Sequence, residues 1–248
     1  MKVYKGADYK EVSRIVANLI ADQIKVKPDS VLGLATGSTP EGTYEELVNK
    51  YNNREIDFSL ISTINLDEYV GLEPDNCQSY RYYMNTHLFD RVNIDKKNTH
   101  IPDGLQSDDK KACEDYEACI ERLGKVSLQL LGIGTNGHIG FNEPDESFST
   151  VTHCVRLSDS TIKANSRFFE SMEEVPKKAY TMGIGTIMKA DKIVLVATGS
   201  GKREILKKAL EGKVIPSVPA SILQLHDNVV LVGDEEALGD NFNEYIQR

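Results

Sequence analysis

The sequence of 248 residues predicts an α/β fold, an open and mostly parallel sheet with helices on both faces. Three observations carry that prediction. Short apolar runs at Val31–Ala35, Leu60–Leu66, Lys125–Leu131 and Lys192–Ala197 alternate with stretches of helical spacing. The runs are apolar along their length rather than at every second residue, as in strands covered on both sides. Glycine-bearing turns follow several of them, and open α/β sheets place their chemistry beyond the carboxyl ends of their strands. The pattern is Rossmann-like and three-layered. With no low-complexity stretch and no clear boundary, it is expected to form one domain over 1–248.

Each element has its own signal. Residues 8–25 place Val12, Ile15, Val16, Leu19, Ile20 and Ile24 at helical spacing. After the strand at Val31–Ala35, Thr36-Gly37-Ser38-Thr39-Pro40 turns into a helix, with Thr39 as the expected N-cap and Pro40 at the first position. The strand at Leu60–Leu66 ends in Asp67-Glu68-Tyr69 and a loop from Gly71 to Asn76, followed by a helix at 78–89 with Tyr80, Tyr83, Met84 and His87 on one face. Residues 108–122 read as a polar helix, and Lys125–Leu131 as the strand that feeds a loop with four glycines. Val151–Leu157 reads as a further strand, and Ser158-Asp159-Ser160 is expected to cap a helix through Arg167 and Phe168. Ala179–Ile184 and Lys192–Ala197 are expected as interior strands; a helix from Lys202 to Leu210 and a strand at Val229–Val232 follow.

Hydrophobic content of 40% and charged content of 27% are ordinary for a globular chain. A net charge of -9 argues against nucleic acid or anionic membrane as a general partner. It leaves room for an anionic small molecule, which needs only local positive charge. The four cysteines form no C-x-x-C pair and no signal core opens the sequence, so a cytoplasmic location is expected. No apolar run approaches the ~18 residues of a membrane span.

Ala35-Thr36-Gly37-Ser38 and Ala197-Thr198-Gly199-Ser200 repeat one tetrapeptide between a strand and a helix. Glycine admits close backbone approach, and a helix N-terminus offers unpaired N–H donors, so both turns are candidate anion cradles, with Lys202 adding charge at the second. A Walker loop does not fit, because Val196 and Arg203 stand where it requires glycine and Ser or Thr.

Gly132-Ile133-Gly134-Thr135-Asn136-Gly137 matches G-x-G-x-x-G, but the His138–Pro144 stretch after it is a poor helix start, which removes the dinucleotide reading. What remains is a glycine-shaped loop presenting Asn136, His138 and Glu143. Histidine exchanges protons near neutral pH, and an adjacent carboxylate and amide can orient it. Asp67 and Glu68 follow another strand; adjacent residues on extended backbone face opposite sides, so one faces the site and the other the scaffold. The five histidines show no metal-ligand spacing, and no G-x-S-x-G elbow marks a serine hydrolase. Neither a metal nor a cofactor is expected. Tyr80, Tyr82 and Tyr83 read as packing, and the Ser/Thr-rich Asp145–Leu157 as a candidate lid.

Taken together, LGLATGSTPEGTY (32–44), NLDEYVGL (65–72), QSY (78–80), LGIGTNGHIGFNEP (131–144), ANSRFF (164–169), AYTMGIGT (179–186) and SILQLH (221–226) resemble the glucosamine-6-phosphate deaminase family, in its shorter bacterial type. The resemblance runs nearly end to end. It implies conversion of glucosamine 6-phosphate and water to fructose 6-phosphate and ammonia, in amino-sugar catabolism and without a cofactor. It implies that Asp67 moves the C2 proton to C1. His138 would assist ring opening with Glu143 and Asn136 in support, while Thr36, Gly37, Ser38, Thr39, Arg167 and Lys202 hold the phosphate. Longer members carry Asp where Asn136 stands, and an amide orients rather than relays a proton. They also carry an allosteric site whose basic residues have no counterpart in Asp145–Thr152, so no such regulation and a monomer or small homo-oligomer are expected. Rival readings are a 6-phosphogluconolactonase, which usually has Arg where Tyr69 stands, and a non-catalytic sugar-phosphate sensor domain, which normally carries a DNA-binding segment.

Overall fold

The computed structural model describes residues 1–157, 162, 166, 169, 171–245 and 247. The expected helix through Arg167 and Phe168 lies outside the described residues. Among the described residues ten strands occur in chain order: β1 (Lys2–Gly6), β2 (Val31–Leu34), β3 (Ser62–Asn65), β4 (Asp67–Tyr69), β5 (Thr99–His100), β6 (Leu128–Gly132), β7 (His153–Arg156), β8 (Lys178–Thr181), β9 (Ile193–Ala197) and β10 (Val229–Asp234). Five longer helical segments accompany them: α1 (Tyr9–Val26), α2 (Glu41–Asn52), α3 (Tyr80–Met84), α4 (Asp109–Leu123) and α5 (Arg203–Glu211).

Seven strands form one sheet in the order β1-β10-β9-β6-β2-β3-β5, and every adjacent pair is parallel. Side chains alternate across the pleat and are buried on both sides. Val31, Leu131, Ile133, Leu195, Ala197 and Leu231 join α4 and α5 in one core layer, whereas Leu32, Leu34, Leu130, Val194, Val196 and Val232 join α1 and α2 in the other. From β2 the chain builds outward through β3 and β5; from β6 it builds the other way through β9 and β10. The order therefore reverses between β2 and β6, and a crevice opens at such a point.

Local chemistry sets the ends of these elements. Asp8 accepts the Glu11 N–H at 2.8 Å while Glu11 accepts the Ala7 N–H at 2.9 Å, a reciprocal cap on α1. Asp108 accepts from the N–H groups of Lys110 and Lys111 at the start of α4. α3 continues into a wider π-turn over Asn85–Phe89.

Several expectations need correction. Helix α2 begins at Glu41: Pro40 occupies the cap position with helical φ and ψ, and Thr39 makes no capping bond. The helix expected from Lys202 to Leu210 is present over Arg203–Glu211, preceded by a 3-10 turn at Ser200–Lys202. The strand expected over Ala179–Ile184 is not interior to the main sheet. β8 is the middle of a second, antiparallel sheet, β4-β8-β7, and β4 is the Asp67–Tyr69 stretch itself. The chain breaks at Leu66, so Asp67 leaves the main sheet while Leu66 bonds to both Leu34 and Met182. The latter part of the candidate lid is anchored: His153–Arg156 pairs with β8, and Thr152 bonds through its N–H and hydroxyl to Glu117. β1 and β5 lack a signal strong enough to read beforehand, the first being half polar and the second two residues long.

Candidate active site

The carboxyl ends of four neighbouring strands, β9, β6, β2 and β3, carry the residues singled out above. After β2 comes the turn Thr36–Thr39; after β3, Asp67; after β6, the loop with Asn136, His138 and Glu143; after β9, Lys202.

The loop after β6 is shaped by where side chains cannot be. A Cβ on Gly134 would stand 2.2 Å from His138 Cε1 and 2.4 Å from both ring nitrogens, so the imidazole lies directly on the Gly134 backbone. Gly137 has φ +91, and a Cβ there would meet Val218 at 2.9 Å. The loop closes on itself through Gly134 N–H to His138 C=O, 2.9 Å, and Gly137 N–H to Gly134 C=O, 3.0 Å.

Three polar side chains then line up along it. The Asn136 amide donates to Glu143 Oε2 at 2.5 Å, and its oxygen accepts the His138 backbone N–H at 3.1 Å. The other Glu143 oxygen stands 3.5 Å from His138 Nδ1, an ion-pair separation too long for a good hydrogen bond. Asn136 thus fixes both the carboxylate and the histidine backbone, which suits the orienting part read for an amide there.

Asp67 faces this loop. A Cβ on Gly140 would come within 3.4 Å of Asp67 Oδ2 and 3.0 Å of Thr181 Oγ1, which leaves Gly140, two residues past His138, against the Asp67 carboxylate. Thr181 pairs with Asp67 in register across β4 and β8, and its hydroxyl accepts the Phe141 N–H at 3.0 Å. Asn142, 4% exposed, donates to the carbonyls of Ile139 and Met182. The loop after β6 is clasped in this way to the sheet that carries Asp67. Asp67 itself is 7% exposed, and burial, reinforced by the Glu68 charge, pushes its carboxyl up to about 8.

Glu68 points the other way, as alternation requires. Its carboxylate accepts the N–H groups of Tyr69, Tyr80 and Arg81 at 2.8–2.9 Å, tying β4 to the start of α3. Burial raises the Glu68 pKa as well, opposed by these three donors.

At the turn after β2, Gly37 has φ +95 and open space around it. Tyr44 donates to the Ala35 carbonyl, Tyr83 to Gly37 and Tyr9 to Ser38. Among the described residues, the N–H groups of Gly37, Ser38 and Thr39 make no hydrogen bond. The second Thr-Gly-Ser turn differs. The Asp234 carboxylate accepts the Gly199 N–H at 2.9–3.0 Å and also caps the next helical turn at Ala237, so an internal anion fills the cradle expected there. Lys202 remains at the site through its ammonium, which donates to the Ile133 carbonyl at 2.6 Å and whose pKa is lowered by burial. Arg167 lies outside the described residues.

Grooves of about 570 and 210 Å3 flank α4, the first lined by Cys113, Glu117 and Thr152 and the second by Arg81, His100 and Tyr116. Neither includes Asp67, His138 or the Gly37 turn; convergent polar groups at strand ends outweigh an open groove as a site indicator. Asn142, Thr181 and Asp234 escaped the sequence reading because their partners lie 35–40 residues away. Tyr83, read as packing, reaches the Gly37 turn 46 residues away.

The family model of glucosamine-6-phosphate isomerases/6-phosphogluconolactonase matches residues 7–232. The chain is 57% identical over 232 residues to the glucosamine-6-phosphate deaminase of Lachnoclostridium phytofermentans, covering 94% of this chain and 98% of that protein. It is 52% identical over 237 residues to the glucosamine-6-phosphate deaminase of Clostridium perfringens, covering 96% and 98%. Among solved structures, a monomeric glucosamine-6-phosphate deaminase superposes with a TM-score of 0.93 at 47% identity, covering 96% of this chain and 98% of that one. A 6-phosphogluconolactonase of Trypanosoma brucei shares the fold, with a TM-score of 0.77 at 19% identity over 96% and 97%.

Proposed function

The chain belongs to the glucosamine-6-phosphate isomerase/6-phosphogluconolactonase family, and from that premise we propose that it is a glucosamine-6-phosphate deaminase of amino-sugar catabolism. The observation that carries the reading within the family is the pairing of a buried Asp67 with the His138–Glu143–Asn136 loop, clasped together through Gly140, Thr181 and Asn142. Deamination of this sugar needs a base near C1 and C2 and a proton shuttle at the ring oxygen. The two groups supply them.

In the proposed reaction the phosphate sits on the Thr36, Gly37, Ser38 and Thr39 turn, with Lys202 and Arg167 adding charge. Holding the far end of the sugar orients the reacting end. His138 moves a proton between the anomeric hydroxyl and the ring oxygen and so opens the ring; Glu143 and Asn136 hold it for that transfer. Asp67 removes the C2 proton and delivers it to C1, which turns the aminoaldose into a ketose imine. Water adds to that imine and ammonia leaves. The cationic amine of the substrate, close to Asp67, favours the ionised carboxylate that burial alone disfavours. This chemistry calls for no cofactor.

We place the whole function in one domain, residues 1–248, in the cytoplasm, as a monomer or small homo-oligomer; light scattering reads the last directly. Among the described residues no helix is long and apolar enough to cross a membrane. The purified protein is expected to release ammonia from glucosamine 6-phosphate and to leave 6-phosphogluconolactone at its background rate of hydrolysis. Hydrolysis of the lactone without ammonia release from the amino sugar would reverse the assignment, and sugar-phosphate binding with neither activity would make the chain a sensor.

A further inference from the structure

The turn that carries the phosphate in the proposed function is exposed at Gly37 and Ser38, and no atom lies within 4 Å of where a Gly37 side chain would start. Three tyrosine hydroxyls fasten it, each donating to a carbonyl: Tyr44 to Ala35 at 2.5 Å, Tyr83 to Gly37 at 2.7 Å and Tyr9 to Ser38 at 3.0 Å. No peptide bond here is cis. In a planar trans peptide, the carbonyl of one residue and the N–H of the next point in opposite directions. A hydroxyl that captures the Gly37 carbonyl therefore aims the Ser38 N–H away from α3, and Tyr9 does the same for the N–H of Thr39.

Tyr83 differs from the other two in what else its helix holds. Its own α3 begins with the N–H groups of Tyr80 and Arg81 bound to the Glu68 carboxylate, both at 2.9 Å, and Glu68 is the chain neighbour of Asp67. Within one turn of helix the chain is thus tied to the strand of the proposed base and to the proposed phosphate turn. The Tyr83 ring is braced edge-on by Tyr44 at 6.4 Å between centroids and by His87 at 4.3 Å.

We propose that Tyr83 is a positioning residue: its hydroxyl aims the Ser38 N–H at the phosphate, and α3 fixes the span between that N–H and Asp67. The inference rests on the assignment of the Gly37 turn to phosphate. Sugar-phosphate length is then measured by a rigid helical turn instead of by a loop.

Tyr83→Phe removes the hydroxyl and keeps the ring. The expected result is an affinity for inorganic phosphate, read by calorimetry, that is about three- to tenfold weaker, the size of one neutral hydrogen bond. The ratio of kcat/KM on glucosamine 6-phosphate to kcat/KM on unphosphorylated glucosamine is expected to fall by a similar factor. A loss that is merely structural lowers both substrates together and leaves that ratio where it was, which overturns the proposal; so does an unchanged phosphate affinity. If Tyr83→Phe fails to fold, Tyr9→Phe loosens the adjacent Ser38 carbonyl and must weaken phosphate in the same direction. Weaker phosphate binding in a protein that releases no ammonia removes the deaminase reading and keeps Tyr83. A deaminase in which Tyr83→Phe behaves as wild type does the opposite.

Discussion

At the scale of single residues, Asp67 carries opposed demands. Burial pushes its carboxyl from 3.8 to about 8, yet the proposed reaction needs it ionised. The folded chain binds a proton at Asp67 between those two values and the unfolded chain does not, so Asp67 withdraws stability as pH rises through that window and none below it. Asp67→Asn, which mimics the neutral form, is expected to raise Tm at pH 8 and above and to leave it unchanged near pH 4. The same substitution is expected to lower deamination by at least about 10²-fold, because proton transfer by a placed side chain is worth that much. Calorimetric scans at the two pH values and an ammonia assay read both effects. For the wild type, kcat/KM is expected to climb with pH through about 8 on its acid side. Much of this was legible beforehand. His138 marks itself by its setting among glycines, whereas the Asp67-Glu68 pair, which alone reads as a solvated acidic turn or a helix cap, was singled out only with the rest of the chain. Alternation implied that one of the pair faces the site and the other the scaffold, the resemblance assigned Asp67 to the site, and Glu68 is bonded to the start of α3. The raised Asp67 pKa was not legible, since it depends on which chains cover the carboxylate.

At the scale of elements, glycines decide the geometry. Gly134 is not required for its backbone angle but for the imidazole that lies on it. Gly134→Ala is expected to displace His138 by more than an ångström and to lower kcat by about 10²-fold, with Tm little altered; loss of activity in proportion to loss of Tm would mean the loop, not the ring, was disturbed. The turn after β2 and the loop after β6 could be found in the sequence because Gly-rich backbone follows an apolar run in each. The identical turn after β9 was found by the same signal and misled. Asp234 fills the Gly199 N–H, and nothing local to Thr198–Gly201 reports a carboxylate 35 residues away. Helix α2 also shows the limit of local rules: Thr39 is a good cap by type, but its N–H stands in the turn and the helix starts only after Pro40. The Ala179–Thr181 run has strand chemistry; which sheet it joined depended on the break at Leu66, a tertiary event.

At the scale of the molecule, a reversal of strand order between β2 and β6 sets four strand ends side by side, and each end carries a separate part of the proposed site. Alternation of strand and helix announced the sheet, and two-sided burial of Val31–Leu34 and Ile193–Ala197 follows from their unbroken apolar character. The small antiparallel sheet was not announced. Its three strands are short; β4 reads in the sequence only as the end of the preceding strand, and β8 as interior to the main sheet. Separate parts imply separable kinetics. Lys202→Met is expected to raise KM for glucosamine 6-phosphate about tenfold or more, the scale of a charged hydrogen bond, and to lower kcat by less. Steady-state kinetics distinguish that pattern from the kcat loss expected of Asp67→Asn. In the proposed reaction only the joint action of the parts deaminates. The most direct test is turnover of glucosamine 6-phosphate deuterated at C2 in ordinary water, with ammonia and the isotope at C1 of the product measured together. One ammonia per fructose 6-phosphate and part of the deuterium at C1 are expected, since Asp67 is 7% exposed and shields what it carries. Absence of ammonia, or complete washout of deuterium at C1, would contradict the proposed reaction.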